Sequence, residues 1–102
     1  MKIWLDDVQT PPNDDWVWVR TATYATVVIL TERVSEISFD HDLGKDMPTG
    51  YDLAKAIEKK AYLGEISPMV WHIHSANPVG RRNIEMAMKN ADKYWKMHQQ
   101  NT

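Results

Sequence analysis

Cysteine is absent from this chain of 102 residues, and the chain contains no long apolar run. Without cysteine it has no disulfides, no thiolate metal ligands and no cysteine nucleophile. Its apolar stretches are far shorter than the roughly 18 residues of a membrane span, and the first, residues 1–5, is too short for the core of a signal peptide. We therefore expect a soluble, cytoplasmic protein without a membrane partner.

A strong excess of one charge is also missing, because 12 basic residues nearly balance 14 acidic ones. The balance hides a division, since residues 1–50 carry an acidic excess and residues 51–102 a basic one. Acidic loops and basic helix starts that meet in the fold would hold a cation and a phosphate together; the alternative is solvated surface charge. The length and the ordinary content of apolar residues (43%) predict one domain over residues 1–102.

Short apolar segments and helical patterns follow one another in the order β-β-α-β-α-β-α. This order predicts a small three-layer α/β sandwich around a largely parallel four-stranded sheet. We place strands at residues 2–5, 16–20, 36–39 and 69–74, and helices at 23–34, 49–64 and from 78 or 80 to 99. The first helix is ambiguous, because its apolar residues 27–30 also suit a buried strand. The helical interpretation takes Thr23 as its N-cap, and Thr49 with Asp52 forms a capping-box pattern for the second helix.

Polar side chains follow three of the predicted strands at the point where each strand ends. These groups are Asp6-Asp7, Asp40-His41-Asp42 and His74-Ser75-Ala76-Asn77. In parallel α/β sheets, ligands bind beyond the carboxyl ends of the strands. If the strands are parallel, the three groups meet at one edge of the sheet, and this edge is the predicted functional site.

The acidic residues at this edge predict a cation site. Mg²⁺ prefers hard oxygen ligands and takes one or two protein carboxylates beside water and phosphate oxygens. We predict that Asp6, Asp7 and Asp40 hold Mg²⁺ or Mn²⁺, while His41 points to the substrate. The alternative is that Asp6 and Asp7 only end a strand and cap a turn, with His41 on the surface.

Two histidines lie in the fourth strand, where His72 and His74 share a face and Ser75 points the opposite way. At the end of the strand, His74 is the better general acid or base, because an unperturbed histidine titrates near neutral pH. In contrast, His72 is more often a core or groove histidine. A zinc site formed by these two residues and His41 is conceivable, but the spacing matches no common zinc motif.

The segment from Asn77 to Asn83 (NPVGRRN) is typical of a helix start that binds an anion. Backbone N–H groups at a helix N-terminus bind phosphate, and arginine matches phosphate with two donors. We predict that Ser75, Asn77 and Arg81 bind a phosphate group of the substrate. The alternative is a capping asparagine followed by solvated arginines.

Two resemblances follow from these residues. The acidic pair, Asp40 and Ser75 are similar in layout to response-regulator receiver domains, but the fifth strand and its lysine are missing. The more specific resemblance is to the cyclic-phosphate-processing receiver-like family, which covers nearly the whole chain. It is carried by Leu5-Asp6-Asp7, residues 12–16, Ile37 to Gly44 (ISFDHDLG), Thr49 to Asp52 (TGYD) and His74 to Arg81 (HSANPVGR). Two positions depart from the family pattern: Gln9 stands where arginine is common, and Phe39 where leucine is.

The family resemblance implies a truncated receiver-like, flavodoxin-like topology of bacterial or phage origin that processes cyclic phosphates at RNA ends. It also implies the site residues Asp6, Asp7, Asp40, His41, His74, Ser75 and Asn77. The leading hypothesis is therefore a metal-assisted phosphoesterase, a hydrolase acting on a 2′,3′-cyclic phosphate. The alternatives are a non-catalytic module that binds a phosphate, a nucleotide or a protein partner, and a switch phosphorylated on Asp40. The oligomeric state, the cyclic substrate and the host process stay open.

Overall fold

The computed structural model describes residues 1–100 and contains the seven elements in the predicted order. The strands are β1 (Lys2–Leu5), β2 (Trp16–Val19), β3 (Glu36–Phe39) and β4 (Val70–Ile73). The helices are α1 (Ala22–Thr31), α2 (Gly50–Tyr62) and α3 (Pro78–Gln100). The ambiguous segment after β2 is helical, so the helical interpretation of α1 is confirmed.

All four strands are parallel and lie in the order β2-β1-β3-β4. This order matches the first four strands of flavodoxin-like sheets, 2-1-3-4-5. The register is continuous across the sheet, since Leu5 pairs with Val19 and Phe39, and Phe39 pairs with Ile73. The receiver-like α/β fold with a parallel four-stranded sheet is therefore confirmed, and the three polar strand ends lie at one edge.

The three helices pack on one face of this sheet. Buried side chains of this face, such as Ile3, Ile37 and Phe39, form one core cluster with Ile57 of α2 and Met88 of α3. The layering thus differs from the expected three-layer sandwich, because among residues 1–100 no helix covers the opposite face. We call that opposite face the open face; it carries Lys2, Trp4, Trp16, Trp18, Glu36, Ser38, Val70 and His72.

The missing layer follows from the connections between strands. Parallel strands are joined by right-handed crossovers, so connections that move across the sheet in the same direction place their helices on the same face. The helices α1 and α2 both lie in connections that move from the β2 edge towards β4. The connection from β1 to β2 moves the other way, but it is the loop of residues 6–15 and contains no helix.

The helix starts follow local capping chemistry. Thr21, rather than the predicted Thr23, caps α1, since its side chain accepts a hydrogen bond from the backbone N–H of Tyr24. The predicted capping box of α2 is confirmed, with Thr49 and Asp52 each accepting from the other's backbone. Within residues 1–100, no helix is both long and apolar enough to cross a membrane.

Candidate functional site

The predicted site residues lie where the hydrogen-bond ladder of the sheet runs one residue beyond the strands. The backbone N–H of Asp6 donates to Val19, that of Asp40 to Leu5, and that of His74 to Phe39. Because these bonds fix the backbone of all three residues, their side chains leave the sheet at one level. The sheet therefore brings together Asp6, Asp40 and His74, as the sequence predicts.

Three carboxylates converge at this edge. One oxygen each from Asp6, Asp7 and Asp40 lies within 4.8 Å of the other two, and no other group of this kind is found in residues 1–100. The carboxylate of Asp6 is 4% exposed, and its Oδ1 accepts the backbone N–H groups of Val8 (2.9 Å) and Gln9 (2.7 Å). These two bonds hold the side chain rigidly, with its Oδ2 turned towards His74.

The electrostatics of the cluster favour a cation. Burial is the largest cause that raises the pKa of Asp40, and the neighbouring Asp6 and Asp7 raise it further, although the backbone N–H of His41 opposes the change. Oxygen-only ligands at this spacing fit a hard divalent cation such as Mg²⁺ or Mn²⁺. The donor set thus suits the metal that the sequence predicts, and a positive charge would relieve the repulsion among the three carboxylates.

The ring of His74 is held on all sides. Its Nδ1 lies 2.8 Å from Oγ of Ser38, its Nε2 lies 3.0 Å from Oδ2 of Asp6, and the ring stacks on Trp4 at 3.8 Å. Asp6 accepts only, so Nε2 carries the proton of that bond, and Nδ1 is occupied by its hydrogen bond with Ser38. His74 therefore orients Asp6, and neither ring nitrogen is left free to take a proton from water.

The ring of His41 has one free nitrogen. Its Nδ1 lies 3.1 Å from Oδ1 of Asp42. The other carboxylate oxygen of Asp42, Oδ2, accepts from Nδ2 of Asn77 (3.3 Å). These hydrogen bonds lower the pKa of Asp42, which stays ionised and accepts the Nδ1 proton. Within residues 1–100, every buried side-chain nitrogen or oxygen has a hydrogen-bond partner. Since Nε2 of His41 has none there, it is not buried and is open to solvent.

The start of α3 lies beside His41. Asn77 caps it, because its Oδ1 accepts the backbone N–H of Gly80 (3.0 Å). Ser75 is buried, and its Oγ accepts the N–H of Asn77. The guanidinium of Arg81 donates to the carbonyls of Ile73 and Ser75, both at 3.0 Å, which fixes it at the end of β4. The capping interpretation of Asn77 is therefore confirmed, and the binding of a phosphate by Ser75, Asn77 and Arg81 stays a prediction.

The described part of the chain does not form the conceivable zinc site of His41, His72 and His74. His72 lies on the same face as His74, as predicted, but its Nε2 is hydrogen-bonded to Oε2 of Glu36 (2.7 Å), a residue outside the candidate site. Among residues 1–100, the three histidines do not form a group that could hold a metal. His72 is thus a strand histidine paired with a carboxylate.

Sequence reasoning missed three contributors to the site. Ser38 and Trp4 hold His74, and Arg20 donates from Nε and Nη2 to the backbone carbonyl of Asp7 (3.2 and 2.7 Å). The available signal was the alternation of side chains, which places Arg20 on the same face as Trp16 and Trp18 at the end of β2. It brings a cation to the edge of the sheet beside Asp7.

We expect Gly80→Ala to displace His41. A methyl group at Gly80 would overlap Cγ and Cδ2 of the His41 ring. In a helix, alanine is otherwise better than glycine by about 1 kcal/mol, so a loss of stability would identify the contact. We expect the free energy of unfolding in urea to fall by about 1–3 kcal/mol, as in overpacked cores.

The neighbouring Val79→Ala is the control for Gly80→Ala. Val79 is exposed in the same helical turn, and its substitution should leave stability within about 0.5 kcal/mol. A more stable Gly80→Ala protein would show that the His41 ring moves away at no cost, contrary to the packing described above.

One family model matches most of the chain. The family model described as cyclic-phosphate processing receiver domain matches residues 1–90, which include every residue of the candidate site. No curated protein and no solved structure matches the chain significantly. The match covers most of the chain, and the resemblance drawn from the motifs is confirmed. The chain therefore belongs to the cyclic-phosphate processing receiver domain family.

Proposed function

We propose that the protein is a metal-assisted phosphoesterase that opens 2′,3′-cyclic phosphates, with RNA ends as its substrate. The observation that carries the proposal is the pairing of the carboxylate cluster with a solvent-open histidine nitrogen. Asp6, Asp7 and Asp40 bring oxygens within 4.8 Å of one another, and His41 is oriented by Asp42 with Nε2 free. This combination supports both charge stabilisation at phosphorus and proton transfer.

Asp6, Asp7 and Asp40 would hold Mg²⁺ or Mn²⁺. When bound there, the cation would polarise a phosphoryl oxygen. His74 and Ser38 keep the Asp6 carboxylate in its orientation. The N-terminus of α3, with Ser75, Asn77 and Arg81, would bind the phosphate oxygens by the N–H and guanidinium donors typical of such sites.

Proton transfer is assigned to His41 in this proposal. With its Nδ1 proton donated to Asp42, the neutral ring accepts a proton from water at Nε2. Water then forms the new P–O bond, one ring P–O bond breaks, and the departing ribose oxygen takes the proton back from Nε2. The product is a 2′- or 3′-phosphate monoester. The sequence favours His74 for this role, but both of its nitrogens are hydrogen-bonded to other side chains.

The test is hydrolysis of a short RNA that ends in a 2′,3′-cyclic phosphate, followed by mass spectrometry. We expect a gain of one water in the presence of Mg²⁺ or Mn²⁺, and none with chelator. Comparison with 2′- and 3′-phosphate standards identifies the oxygen that leaves. Hydrolysis that is equally fast in chelator would contradict the role of the carboxylates.

A second candidate is a non-catalytic module that binds a phosphate or nucleotide. It is favoured by the many fixed side chains, since the site holds His74, Asn77 and Arg81 in hydrogen bonds before any ligand is present. Calorimetry with the same cyclic RNA would support this candidate if heat of binding appears with each metal and no product forms.

A further inference from the structure

The open face of the sheet is the largest feature that the proposed function leaves unexplained. Trp4, Trp16 and Trp18 lie on it together with His72, and within residues 1–100 no helix covers them. Trp16 contacts both Trp4 and His72 edge to face, with ring centroids 5.8 and 6.4 Å apart. Trp4 is itself buried under this cluster (9% exposed), so Trp16 and Trp18, both half-buried, are the indole rings that this face offers to solvent.

A positively charged side chain lies over the indole ring of Trp16 and another over that of Trp18. The ammonium of Lys2 lies 4.6 Å from the ring centroid of Trp16, and the guanidinium of Arg20 lies 4.7 Å from that of Trp18. A ring beside a cation offers a stacking surface and a phosphate contact at one place, which is the combination that binds single-stranded nucleic acids. The Nε1 donor of Trp16 has no partner within residues 1–100 and is open to solvent.

The aromatic surface is continuous with the candidate site. Trp18 donates from Nε1 to the backbone carbonyl of Asp6 (2.7 Å), and Arg20 donates to that of Asp7. Trp16 lies two residues earlier on β2, about 6.6 Å further from the site along the strand. A single-stranded nucleic acid whose end lies at the carboxylates would therefore contact Trp18 nearest its end and Trp16 next.

We propose that the open face binds the last bases of a single-stranded RNA whose terminal phosphate lies at the carboxylates. The proposal rests on the proposed function and names the part of the substrate that the protein recognises. Four-stranded sheets with an open aromatic face bind RNA by stacking two or three bases. Stacking carries most of the binding here, because Glu36 lies 3.7 Å from the Lys2 ammonium and offsets part of the positive charge of the face.

The test uses a hexauridylate with an ordinary 3′-hydroxyl end, in chelator, so that neither the cyclic phosphate nor the metal contributes. Its affinity is measured by competition against a fluorescent copy. We expect Trp16→Ala and Trp18→Ala each to weaken binding about 5- to 100-fold, the loss of one stacked base. Trp16→Phe and Trp18→Phe keep a ring and should stay within about threefold of the wild type.

Tyr24→Ala is the matched control, since Tyr24 is an exposed aromatic residue on α1, away from the open face. It should bind as the wild type does. With about two phosphates contacted, affinity should fall less than about tenfold between 50 and 200 mM salt. A stable, G·C-rich RNA duplex should compete poorly, because its bases are already stacked and paired.

Equal binding by the wild type and both alanine variants overturns the proposal, as does a wild type that does not bind the oligonucleotide at millimolar concentration. Self-association of the wild type that Trp16→Ala abolishes would also overturn it, and would assign the open face to a second copy of the chain. Hydrolysis of the mononucleotide 2′,3′-cyclic UMP by the wild type tests the proposed function separately. The two proposals can therefore fail independently.

Discussion

Asp40→Asn is expected to reduce hydrolysis of a 2′,3′-cyclic phosphate by about 1,000-fold, as when a group that stabilises charge in the transition state is removed. Asparagine keeps the size of the side chain and the oxygen that accepts from the backbone N–H of His41 at 2.8 Å. It removes the charge of one of three oxygens that lie within 4.8 Å of one another. The lower rate of hydrolysis should appear in steady-state measurements at every metal concentration tested.

The same substitution should make the metal-free protein more stable at neutral pH. Burial and the charges of Asp6 and Asp7 raise the pKa of Asp40 above its ordinary value, so the folded chain holds this proton more tightly than the unfolded chain. The ionised carboxyl therefore lowers stability at pH above its folded pKa, and this penalty fades as the pH falls through that pKa. Asparagine carries no such penalty, so the melting temperature of Asp40→Asn should exceed that of the wild type at pH 7 and approach it near pH 4.

Added Mg²⁺ or Mn²⁺ should reverse the order. A ligand at ten times its dissociation constant stabilises the folded state by about 1.4 kcal/mol, a rise in melting temperature of roughly 5–10 °C for a domain of this size. We expect this rise for the wild type and little or none for Asp40→Asn, measured by differential scanning calorimetry with and without metal.

Asp15→Asn is the control for these measurements. Asp15 lies exposed in the loop before β2, and the substitution makes the same change in charge. It should leave the rate, the metal-free melting temperature and the metal response unchanged. If both variants respond alike, net charge explains the effects and the carboxylate cluster does not.

The position of the site was predictable from the sequence because few structural facts determine it. Polar residues follow β1, β3 and β4, and parallel strands bring their carboxyl ends to one edge. The meeting of Asp6, Asp40 and His74 needed no knowledge of side-chain conformation. In the structure these three strands are neighbours in the sheet, which places the three residues side by side.

The hydrogen bonds of the two histidines were not predictable. The ring of His74 joins Ser38, 36 positions away, to Asp6, 68 positions away, and such pairs depend on strand order and register. Pattern reasoning gave His74 and His41 similar chemistry because both follow strands. Only the contacts of each ring nitrogen separate an orienting histidine from one with a free nitrogen.

The hydrophobic periodicity of the sequence does not determine that all the helices lie on one face of the sheet. The alternation of tryptophan and valine from Trp16 to Val19 indicates a half-buried strand, but it does not show which face of the sheet the helices cover. The ten residues between β1 and β2 are too few for a crossover helix beside the turn that contains Pro11 and Pro12. Because this connection is too short for a helix, and because crossovers between parallel strands are right-handed, all three helices lie on one face and the tryptophans of β2 lie on the other.

The two histidines are expected to affect different steps. His41→Ala should lower kcat by about 100- to 10,000-fold, the usual contribution of a general acid or base. Its affinity for Mg²⁺ or Mn²⁺ should stay near that of the wild type, because His41 contacts Asp42 and Asn77 through Nδ1. Calorimetric titration with each metal and rates at saturating metal measure the two quantities separately.

His74→Ala should instead weaken metal affinity by about 10- to 100-fold, as loss of a group that orients a ligand does. It removes the donor to Oδ2 of Asp6 and leaves Ser38 without its partner. His74→Gln should restore much of the affinity, since its amide nitrogen takes the place of Nε2 and donates to the same oxygen. At saturating metal, His74→Gln should turn over within about tenfold of the wild type.

The comparison decides which histidine moves the proton. The Nε2–H of His74 is donated to Asp6 and its Nδ1 is hydrogen-bonded to Ser38, so neither nitrogen of this ring faces water, whereas Nε2 of His41 does. If His74→Gln loses turnover at saturating metal as fully as His41→Ala does, while both keep their metal affinity, the assignment is reversed and the hydrogen bond to Asp6 must break during the reaction. If only His41→Ala loses turnover, the free Nε2 is the site of proton transfer, and the bond between His74 and Asp6 serves to hold the metal ligand in place.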